Sequence, residues 1–214
     1  MCRVTLKLVK CTVSHLPYFC FLCHVKIGLF FGSFNPVHNG HLIIANYMCQ
    51  VTDLQKVWLV VSPQSPFKQK ESMLGEYDRI NLINLAIEKN PYLQASDIEF
   101  KLPKPNYTID TLTYLSEKYP QHQFCLIMGS DNLETLHKWK NYQLLLTNYP
   151  IYVYNRRGTA VNPYPENKNI TFLEFPFLDI SSTFIRESIK KGISMEFFLP
   201  DVVWKYIDEM NFYK

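Results

Sequence analysis

The sequence predicts a single-domain α/β protein, with a Rossmann-like, doubly wound parallel sheet and helices on both faces. Three observations favour this fold class. Short apolar runs typical of buried strands alternate along most of the chain with segments of helical periodicity. The first strand, loop, helix and strand follow one another within residues 26–61, as a βαβ unit requires. The 214 residues contain no internal repeat, low-complexity tract or linker, which favours one domain.

Six apolar segments are predicted strands, because each is a short buried-type run bounded by turn-forming residues. They are residues 26–31, 56–61, 94–100, 123–128, 151–154 and 170–175. The predicted helical segments are residues 41–50, 77–87, 108–118, 132–136, 139–146 and 182–191, with a last helix opening at Pro200 and Asp201. The side chains expected to face the core share helical spacing, and they are Tyr77, Ile80, Ile83, Ile87, Ile109, Leu112, Leu115, Leu199, Val203, Tyr206, Ile207 and Met210.

The composition is that of an ordinary globular protein. Hydrophobic residues make up 47% of the sequence and charged residues 19%, which allows a substantial core. The net charge of +3 is too mild to predict a nucleic-acid partner, but it is compatible with a small anionic ligand. No run reaches the ~18 apolar residues of a membrane helix. The six cysteines suggest no disulfide framework. We therefore expect a cytoplasmic protein with neither a nucleic-acid nor a membrane partner.

The N-terminal segment, residues 1–25, differs in character from the rest. It holds four of the six cysteines and an apolar stretch interrupted by Pro17 and His24, without a clear signal-peptide cleavage site. We expect this segment to be an extension outside the fold, either disordered or the product of a wrongly chosen start codon. The folded domain is then expected to span residues 26–214.

The loop after the first strand carries the strongest local signal. It runs from Gly32 to His41 (GSFNPVHNGH) and leads from the carboxyl end of a strand into a helix, where α/β proteins bind ligands. Its glycines allow close backbone approach, and a helix start attracts anions through its N–H groups and dipole. His38 and His41 are three residues apart, so both imidazoles can serve one polyphosphate.

Other interpretations of this loop are open to its residues alone. Two histidines near a helix start are more often surface or capping residues than catalytic ones. A zinc site would need a third ligand, which is missing at a sensible spacing. The loop matches neither the P-loop nor the G-x-G-x-x-G pattern, which disfavours those two nucleotide-binding classes.

This loop resembles the G-S-F-[DN]-P-x-H-x-G-H signature of the H-x-G-H superfamily of nucleotidyltransferases. Phe31 stands where glycine is common, and Asn35 replaces the commoner aspartate. The resemblance implies that residues 26–214 form a nucleotidyltransferase domain in which Asn35 contacts a mononucleotide. The loop residues that it implies for ATP binding are Gly32, Ser33, Phe34, His38 and His41.

A second motif, Ile180–Arg186 (ISSTFIR), is predicted to begin a helix. Ser182 can cap this helix, and Arg186, one turn further on, can make a bidentate phosphate contact. Alone, a capped helix with a solvated arginine explains these residues. The segment resembles the I-S-S-T-x-I-R motif of bacterial nicotinate-nucleotide adenylyltransferases, which grips the triphosphate of ATP. The residues that this resemblance implies for ATP binding are Ile180, Ser181, Ser182, Thr183 and Arg186.

Four further segments are similar to that family. Gly129 and Asp131 are implied to lie against the adenosine of ATP, although helix capping alone explains the aspartate. Tyr107 and Thr108 begin a helix whose N–H groups suit a carboxylate, which favours the nicotinate acid over its amide. Trp139, between two lysines, is implied to stack on the pyridine ring. Lys68 is implied to meet phosphate of the mononucleotide or of ATP, and Arg156 is implied to belong to the mononucleotide site.

The resemblance implies transfer of AMP from ATP to nicotinate mononucleotide, which forms deamido-NAD and pyrophosphate in NAD biosynthesis. The phosphate of the mononucleotide would attack directly in line, without a covalent intermediate. His38, His41 and Arg186 are the expected catalytic residues, and Mg²⁺ is expected to be held mainly by phosphates and water, with no protein ligand named. The alternatives are nicotinamide mononucleotide or phosphopantetheine as substrate, or a non-catalytic nucleotide-binding regulator. A homo-oligomer also stays open.

Overall fold

A computed structural model describes residues 25–63, 73–155, 162–174 and 179–214. These residues form six strands: β1 (Val25–Gly32), β2 (Lys56–Val61), β3 (Leu93–Ser96), β4 (His122–Gly129), β5 (Ile151–Tyr154) and β6 (Ile170–Leu173). They also form seven α-helices: α1 (Asn39–Val51), α2 (Glu76–Ile87), α3 (Thr108–Lys118), α4 (Ser130–Glu134), α5 (Tyr142–Asn148), α6 (Ser182–Lys190) and α7 (Asp201–Glu209). Two short 3₁₀ helices cover Ile98–Phe100 and Leu136–Lys138.

The strands form one parallel sheet in the order β3-β2-β1-β4-β5-β6. β1 lies at its centre, where Phe30 pairs with Leu59 of β2 on one side and with Ile127 of β4 on the other. The direction in which strands are added reverses between β1 and β4. Sheets of this kind bind ligands beyond the carboxyl ends of their strands at that reversal. The topology therefore predicts a site after β1 and β4.

Two hydrophobic cores cover the two faces of the sheet. The first packs α1, α2, α6 and α7 against alternate strand residues such as Phe30, and the second packs α3, α4 and α5 against the intervening ones, such as Leu29. Each buried leucine or isoleucine side chain contributes roughly 1.5–3 kcal/mol. Both cores consist of many such side chains, so each helix layer is held firmly to its face. The predicted doubly wound sheet with helices on both faces is confirmed.

The predicted strand at residues 94–100 is wrong in its second half. β3 ends at Ser96, the last residue paired with β2, and a 3₁₀ helix follows at Ile98–Phe100. Ile98 joins the second core, whereas Phe100 packs against the first. The apolar spacing that suggested a longer strand therefore comes from a tight turn that serves both cores.

Two residues expected in helix cores are exposed. Tyr77 of α2 and Met210, just after α7, are 77% and 50% accessible to solvent. Both lie at helix ends, where the chain leaves the core. The helix predicted at 139–146 begins later, at Tyr142, because Asn141 adopts a left-handed backbone with a φ of 50°. Trp139 consequently has an extended backbone outside the helix.

β1 begins at Val25, which pairs with His122, so the sheet starts one residue before the predicted boundary. Residues 1–24 lie outside the described residues, and their assignment as an extension stays a prediction. In the part of the chain that the structure describes, no helix has the length and apolar character that crossing a membrane requires.

Candidate active site

A cavity of about 640 Å³ opens at the carboxyl edge of the sheet, between the ends of β1 and β4. Its wall combines the loop after β1 with the first residues of α1, α3 and α6. It is therefore at the position that the sheet topology predicts. The predicted site residues that line it are Gly32, Ser33, Phe34, His38, His41, Tyr107, Thr108, Asp131, Trp139, Ile180, Ser181, Ser182, Thr183 and Arg186.

The two histidines stack on each other at the start of α1. Their ring centroids are 3.7 Å apart with an interplanar angle of 25°. His38 is buried and stands at the N-cap, and its backbone N–H donates to Nδ1 of His41 over 3.3 Å. A neutral His41 then carries its proton on Nε2. The arrangement fixes both imidazoles relative to the backbone before any ligand binds.

Two glycines permit this packing. A β-carbon on Gly40 would lie 3.0 Å from Nδ1 of His38 and 3.5 Å from the β-carbon of Ile180. A β-carbon on Gly32 would lie 3.0 Å from the ring of Phe34, which is itself buried at a left-handed φ of 45°. Glycine at these two positions therefore lets the first loop fold tightly and lets the second motif approach it.

The N–H groups at the start of α1 are less available than the sequence suggested. The N–H of Asn39 donates to the carbonyl of Phe198 and that of His41 to the carbonyl of His38, both over 2.9 Å. The anion-attracting character of this helix start therefore rests more on its dipole and on the two imidazoles than on these amides.

The second motif packs directly against the first. Ser181 is the N-cap of α6, and its Oγ accepts a hydrogen bond from the N–H of Phe184 over 3.2 Å. The prediction that Ser182 caps this helix is therefore wrong. The Ser182 hydroxyl instead donates to the carbonyl of Pro36 over 2.9 Å, so it ties α6 to the first loop.

Arg186 completes this junction. Its Nη1 donates to the carbonyl of Asn35 over 2.8 Å, and its Nη2 lies 3.4 Å from Oγ1 of Thr183. His41 and Arg186 line the same cavity although they are 145 positions apart in the sequence. The two motifs therefore form a single site.

Two predicted site residues do not line the cavity. Asn35 is 3% exposed, and its Oδ1 accepts hydrogen bonds from the N–H of Leu74 and the hydroxyl of Tyr213. The Asn35 side chain is therefore buried beneath the first loop, where it holds the loop in place, and the structure gives no support for a contact with a mononucleotide. Gly129 ends β4 and is the N-cap of α4, next to the cavity residue Asp131.

The opposite end of the cavity is built on the start of α3. Tyr107 is the N-cap of this helix and is 38% exposed. The ammonium of Lys140 lies 4.6 Å from the centroid of the Tyr107 ring and 2.8 Å from a carboxylate oxygen of Asp110. Trp139, which is half-buried, lies beside this group. This end of the cavity therefore offers aromatic faces and a helix start near solvent.

Arg79 was missed by the sequence analysis. Its guanidinium is fully buried and donates to four backbone carbonyls, those of Ser33, Ser62, Pro63 and Leu74, over 2.6–3.2 Å. Burial lowers the pKa of this guanidinium, while Glu76 nearby opposes that effect. Arg79 thereby joins the loops that leave β1 and β2. Its position on the buried face of α2, three residues before Leu82, was the signal in the sequence.

Glu99 is a second missed residue. It is 3% exposed and lines the cavity, and its Oε1 accepts a hydrogen bond from Oγ1 of Thr111 over 3.0 Å. Burial raises the pKa of this carboxyl, whereas hydrogen bonds from Ser62 and Thr111 lower it. No sequence signal marked Glu99, because the residue fell inside a segment predicted as a strand.

Lys68 and Arg156 lie outside the described residues, and their roles stay predictions.

A parallel sheet whose reversal point carries two converging helix starts, one with paired histidines and one with serine, threonine and arginine, defines a nucleotidyltransferase. A family model described as cytidylyltransferase-like matches residues 29–188, which covers both motifs. A solved structure, the nicotinic acid mononucleotide adenylyltransferase of Plasmodium falciparum complexed with NaAD, is 19% identical with a TM-score of 0.74. It covers 89% of this chain and 98% of its own, which shows a shared fold.

Relatives at higher identity define the family more narrowly. The "Probable nicotinate-nucleotide adenylyltransferase" of Flavobacterium psychrophilum is 54% identical over 192 residues, which cover 89% of this chain and all of that protein. The protein of the same name from Flavobacterium johnsoniae is 50% identical over 196 residues, with the same coverage. The chain belongs to the family of nicotinate-nucleotide adenylyltransferases. The resemblance in the two motifs is thereby confirmed.

Proposed function

We propose that the chain transfers AMP from ATP to nicotinate mononucleotide, forming deamido-NAD and pyrophosphate as a step of NAD biosynthesis. The observation that carries this proposal is one cavity in which the starts of α1, α3 and α6 meet. Helix starts attract anions, and this reaction brings together a triphosphate, a phosphate and a carboxylate. The names of relatives at 50–54% identity support the same substrates.

The ATP side of the site is assigned to the two packed motifs. His38, His41 and Arg186 would contact the triphosphate, together with Thr183, while Ser182 holds α6 against the first loop. These groups line the same part of the cavity wall, and the stacked imidazoles are already oriented. Fixed donors of this kind stabilise charge in the transition state without having to reorganise. Adenosine would lie against Asp131, just after the end of β4.

The mononucleotide side is assigned to the start of α3 and to Trp139. The positive end of the α3 dipole, at Tyr107 and Thr108, suits the carboxylate of nicotinate, which a neutral amide would not exploit. Trp139 offers a half-buried ring for stacking on the pyridine. Lys68 and Arg156 are proposed to contact the phosphate of the mononucleotide.

The chemistry needs little from the protein beyond positioning and charge. An oxygen of the mononucleotide 5′-phosphate bonds to the α-phosphorus of ATP, while the bond from that phosphorus to the oxygen bridging to the β-phosphorus breaks. The bonding electrons leave with pyrophosphate. Because the attacking phosphate is already an anion, no side chain must remove a proton or form a covalent intermediate. His41 and Arg186 are proposed to stabilise the charge that moves onto the leaving group.

Mg²⁺ is proposed as the cofactor of this reaction. The cavity wall includes the carboxylates of Asp131 and Glu99, and Mg²⁺ is commonly held by one or two carboxylates together with substrate phosphates and water. Among the described residues, no group of three or more histidine, cysteine or acidic side chains forms a metal cage. The residues present therefore fit an ion carried mainly by ATP. When bound, the ion would neutralise charge on the triphosphate.

A parallel assay tests this proposal. ATP and MgCl₂ are supplied with nicotinate mononucleotide, nicotinamide mononucleotide or phosphopantetheine, and pyrophosphate release and the dinucleotide product are measured. We expect deamido-NAD to form with the highest kcat/KM for nicotinate mononucleotide. A higher value for either other substrate would replace the proposed one. ATP binding without pyrophosphate release from any of them would indicate a non-catalytic regulator.

A further inference from the structure

The segment after α7 reaches the back of the first loop. The hydroxyl of Tyr213 donates to Oδ1 of Asn35 over 2.7 Å, although the two residues are 178 positions apart. The same oxygen accepts the N–H of Leu74 over 3.1 Å. A carbonyl oxygen has two lone pairs, so these two donors complete its capacity. Asn35 is thus held from two sides at a buried position.

Asn35 in turn contacts Arg186 through its backbone. Its backbone carbonyl accepts from Nη1 of Arg186 over 2.8 Å, whereas the contact of Arg186 Nη2 with Thr183 Oγ1 is longer, at 3.4 Å. The orientation of the guanidinium therefore depends on where the backbone of Asn35 lies. That backbone is in turn fixed through the side chain that Tyr213 holds.

The backbone around Tyr213 is arranged to make this contact. Asn211 and Tyr213 have φ values of 55° and 66°, in the left-handed region that disfavours a residue with a bulky side chain. The N–H of Phe212 donates to the carbonyl of Ile207 over 3.0 Å, which closes the end of α7 and directs the chain back. Holding a tyrosine in this backbone conformation costs free energy, which the contacts of its side chain must offset.

The Tyr213 hydroxyl also stays protonated, so it remains a hydrogen-bond donor. Burial raises the pKa of Tyr213 above its usual value, while the positive charges of Arg186 and Arg79 oppose this rise. The hydroxyl is consequently neutral and able to donate throughout the pH range in which the enzyme would work.

We propose that Tyr213 is a positioning residue for the ATP side of the site, acting on Arg186 through Asn35. This inference rests on the proposed function, because it takes Arg186 to contact the triphosphate of ATP. Tyr213 itself does not line the cavity and is given no contact with substrate. The proposal separates the two halves of the cavity: loss of the hydroxyl should affect ATP and leave the mononucleotide largely unaffected.

Tyr213→Phe tests this, because it removes one oxygen and keeps the ring. Removal of a neutral hydrogen bond corresponds to about a 3- to 10-fold change. We expect the KM for ATP to rise by about that factor and the KM for nicotinate mononucleotide to change less than 2-fold. Tyr206→Phe, on α7 and in ring contact with Phe212, is the matched control and should leave both constants unchanged. An unchanged KM for ATP, or an equal rise in both constants, would overturn the proposal.

A double-mutant cycle tests the route through Arg186. The dissociation constant of ATP is measured by calorimetry for the wild type, Tyr213→Phe, Arg186→Lys and the double variant. Lysine keeps the charge, so ATP still binds, but it lacks the planar fork that can hold Asn35 and a phosphate together. We expect the effect of Tyr213→Phe to fall below 2-fold in the lysine background. An undiminished effect would contradict this route.

The cycle also separates the two proposals. It uses ATP alone and needs no second substrate. A wild type that binds ATP but does not convert nicotinate mononucleotide would refute the proposed function, while the cycle would still decide whether Tyr213 acts on Arg186.

Discussion

The two ends of the cavity are built differently. At the end formed by the two packed motifs, Asn35 and His38 are 3% and 4% exposed, and hydrogen bonds tie α6 to the first loop at both Ser182 and Arg186. At the other end, Tyr107 is 38% exposed and the side chain of Lys140 is 43% exposed. The first end is built on a buried, cross-linked framework, whereas the second presents side chains near solvent above the buried Glu99.

This difference indicates how the work of the site is divided. Stabilising a transition state requires donors that are fixed before reaction, and burial with mutual hydrogen bonds provides that. Recognising a flat ring requires accessible surface, and its contacts form equally in the ground state. Changes at the buried end should therefore reduce kcat or raise the KM for ATP, whereas changes at the open end should mainly raise the KM for the mononucleotide.

His41→Ala should give the largest effect. The substitution removes an oriented donor that is proposed to contact the triphosphate, and loss of one such donor commonly reduces kcat by about 10²–10³-fold. We expect a reduction of that size, with the KM for nicotinate mononucleotide changed far less. Steady-state kinetics with each substrate varied in turn measure both constants.

His137→Ala is the control for this change. His137 is exposed and does not line the cavity, so its removal should leave kcat within about 2-fold of the wild type. If His41→Ala also left kcat unchanged, the role of His41 in the transition state would be refuted, and the division between the two ends would lose its main support.

Trp139→Ala tests the open end. Stacking of an aromatic side chain on a base contributes ~1–3 kcal/mol, which corresponds to roughly 5- to 150-fold in affinity. We expect the KM for nicotinate mononucleotide to rise by at least ~5-fold, with kcat and the KM for ATP nearly unchanged, and Trp139→Phe to restore most of the loss. Trp204→Ala, a half-buried tryptophan on α7, is the control. A fall in kcat with an unchanged KM would mean that Trp139 serves the reaction step.

The same contrast explains how much the sequence could predict. The predicted bounds of β2, β5 and α3 match the structure at every residue, because local periodicity and turn-forming neighbours determine them. The two motifs were found for the same reason, since each is a contiguous run of residues. Local pattern also gave the class of fold, because alternating strands and helices leave few ways to cover both faces of a sheet.

The residues whose surroundings the sequence did not reveal depend on distant partners. Asn35 looks like a ligand-binding loop residue until Leu74 and Tyr213 are seen to occupy its side chain. The spacing of Arg79 from Leu82 indicates a buried helix face, but it does not indicate the carbonyls from separate loops that the guanidinium joins. Tertiary contacts of this kind have no local signature, so a sequence pattern names the groups that face the ligand more readily than those that hold them in place.

Glu99→Gln should give the smallest effect, and one that depends on pH. Glu99 lies on the cavity wall, and burial raises the pKa of its carboxyl. A carboxyl whose pKa is higher in the folded than in the unfolded state contributes its full stability below the unfolded value, ~4.3. That contribution is lost as the pH rises through the folded pKa. Glutamine keeps the shape and an acceptor for Thr111 but cannot ionise.

The variant should therefore be more stable than the wild type at pH 8, and the difference between their Tm values should shrink as the pH falls towards 5. A difference of about 1 kcal/mol corresponds to roughly 2–4 °C in the Tm of a chain of this size, so thermal melts across this range can resolve it. Glu117→Gln, at an exposed position on α3, is the control for the loss of a surface carboxylate. If the Tm difference between Glu99→Gln and the wild type instead widened as the pH fell, the ionised carboxylate would stabilise the fold. Glu99 contacts Thr111 of α3 at the open end of the cavity, so that end would then contain a fixed charge, which would weaken its contrast with the end formed by the two motifs.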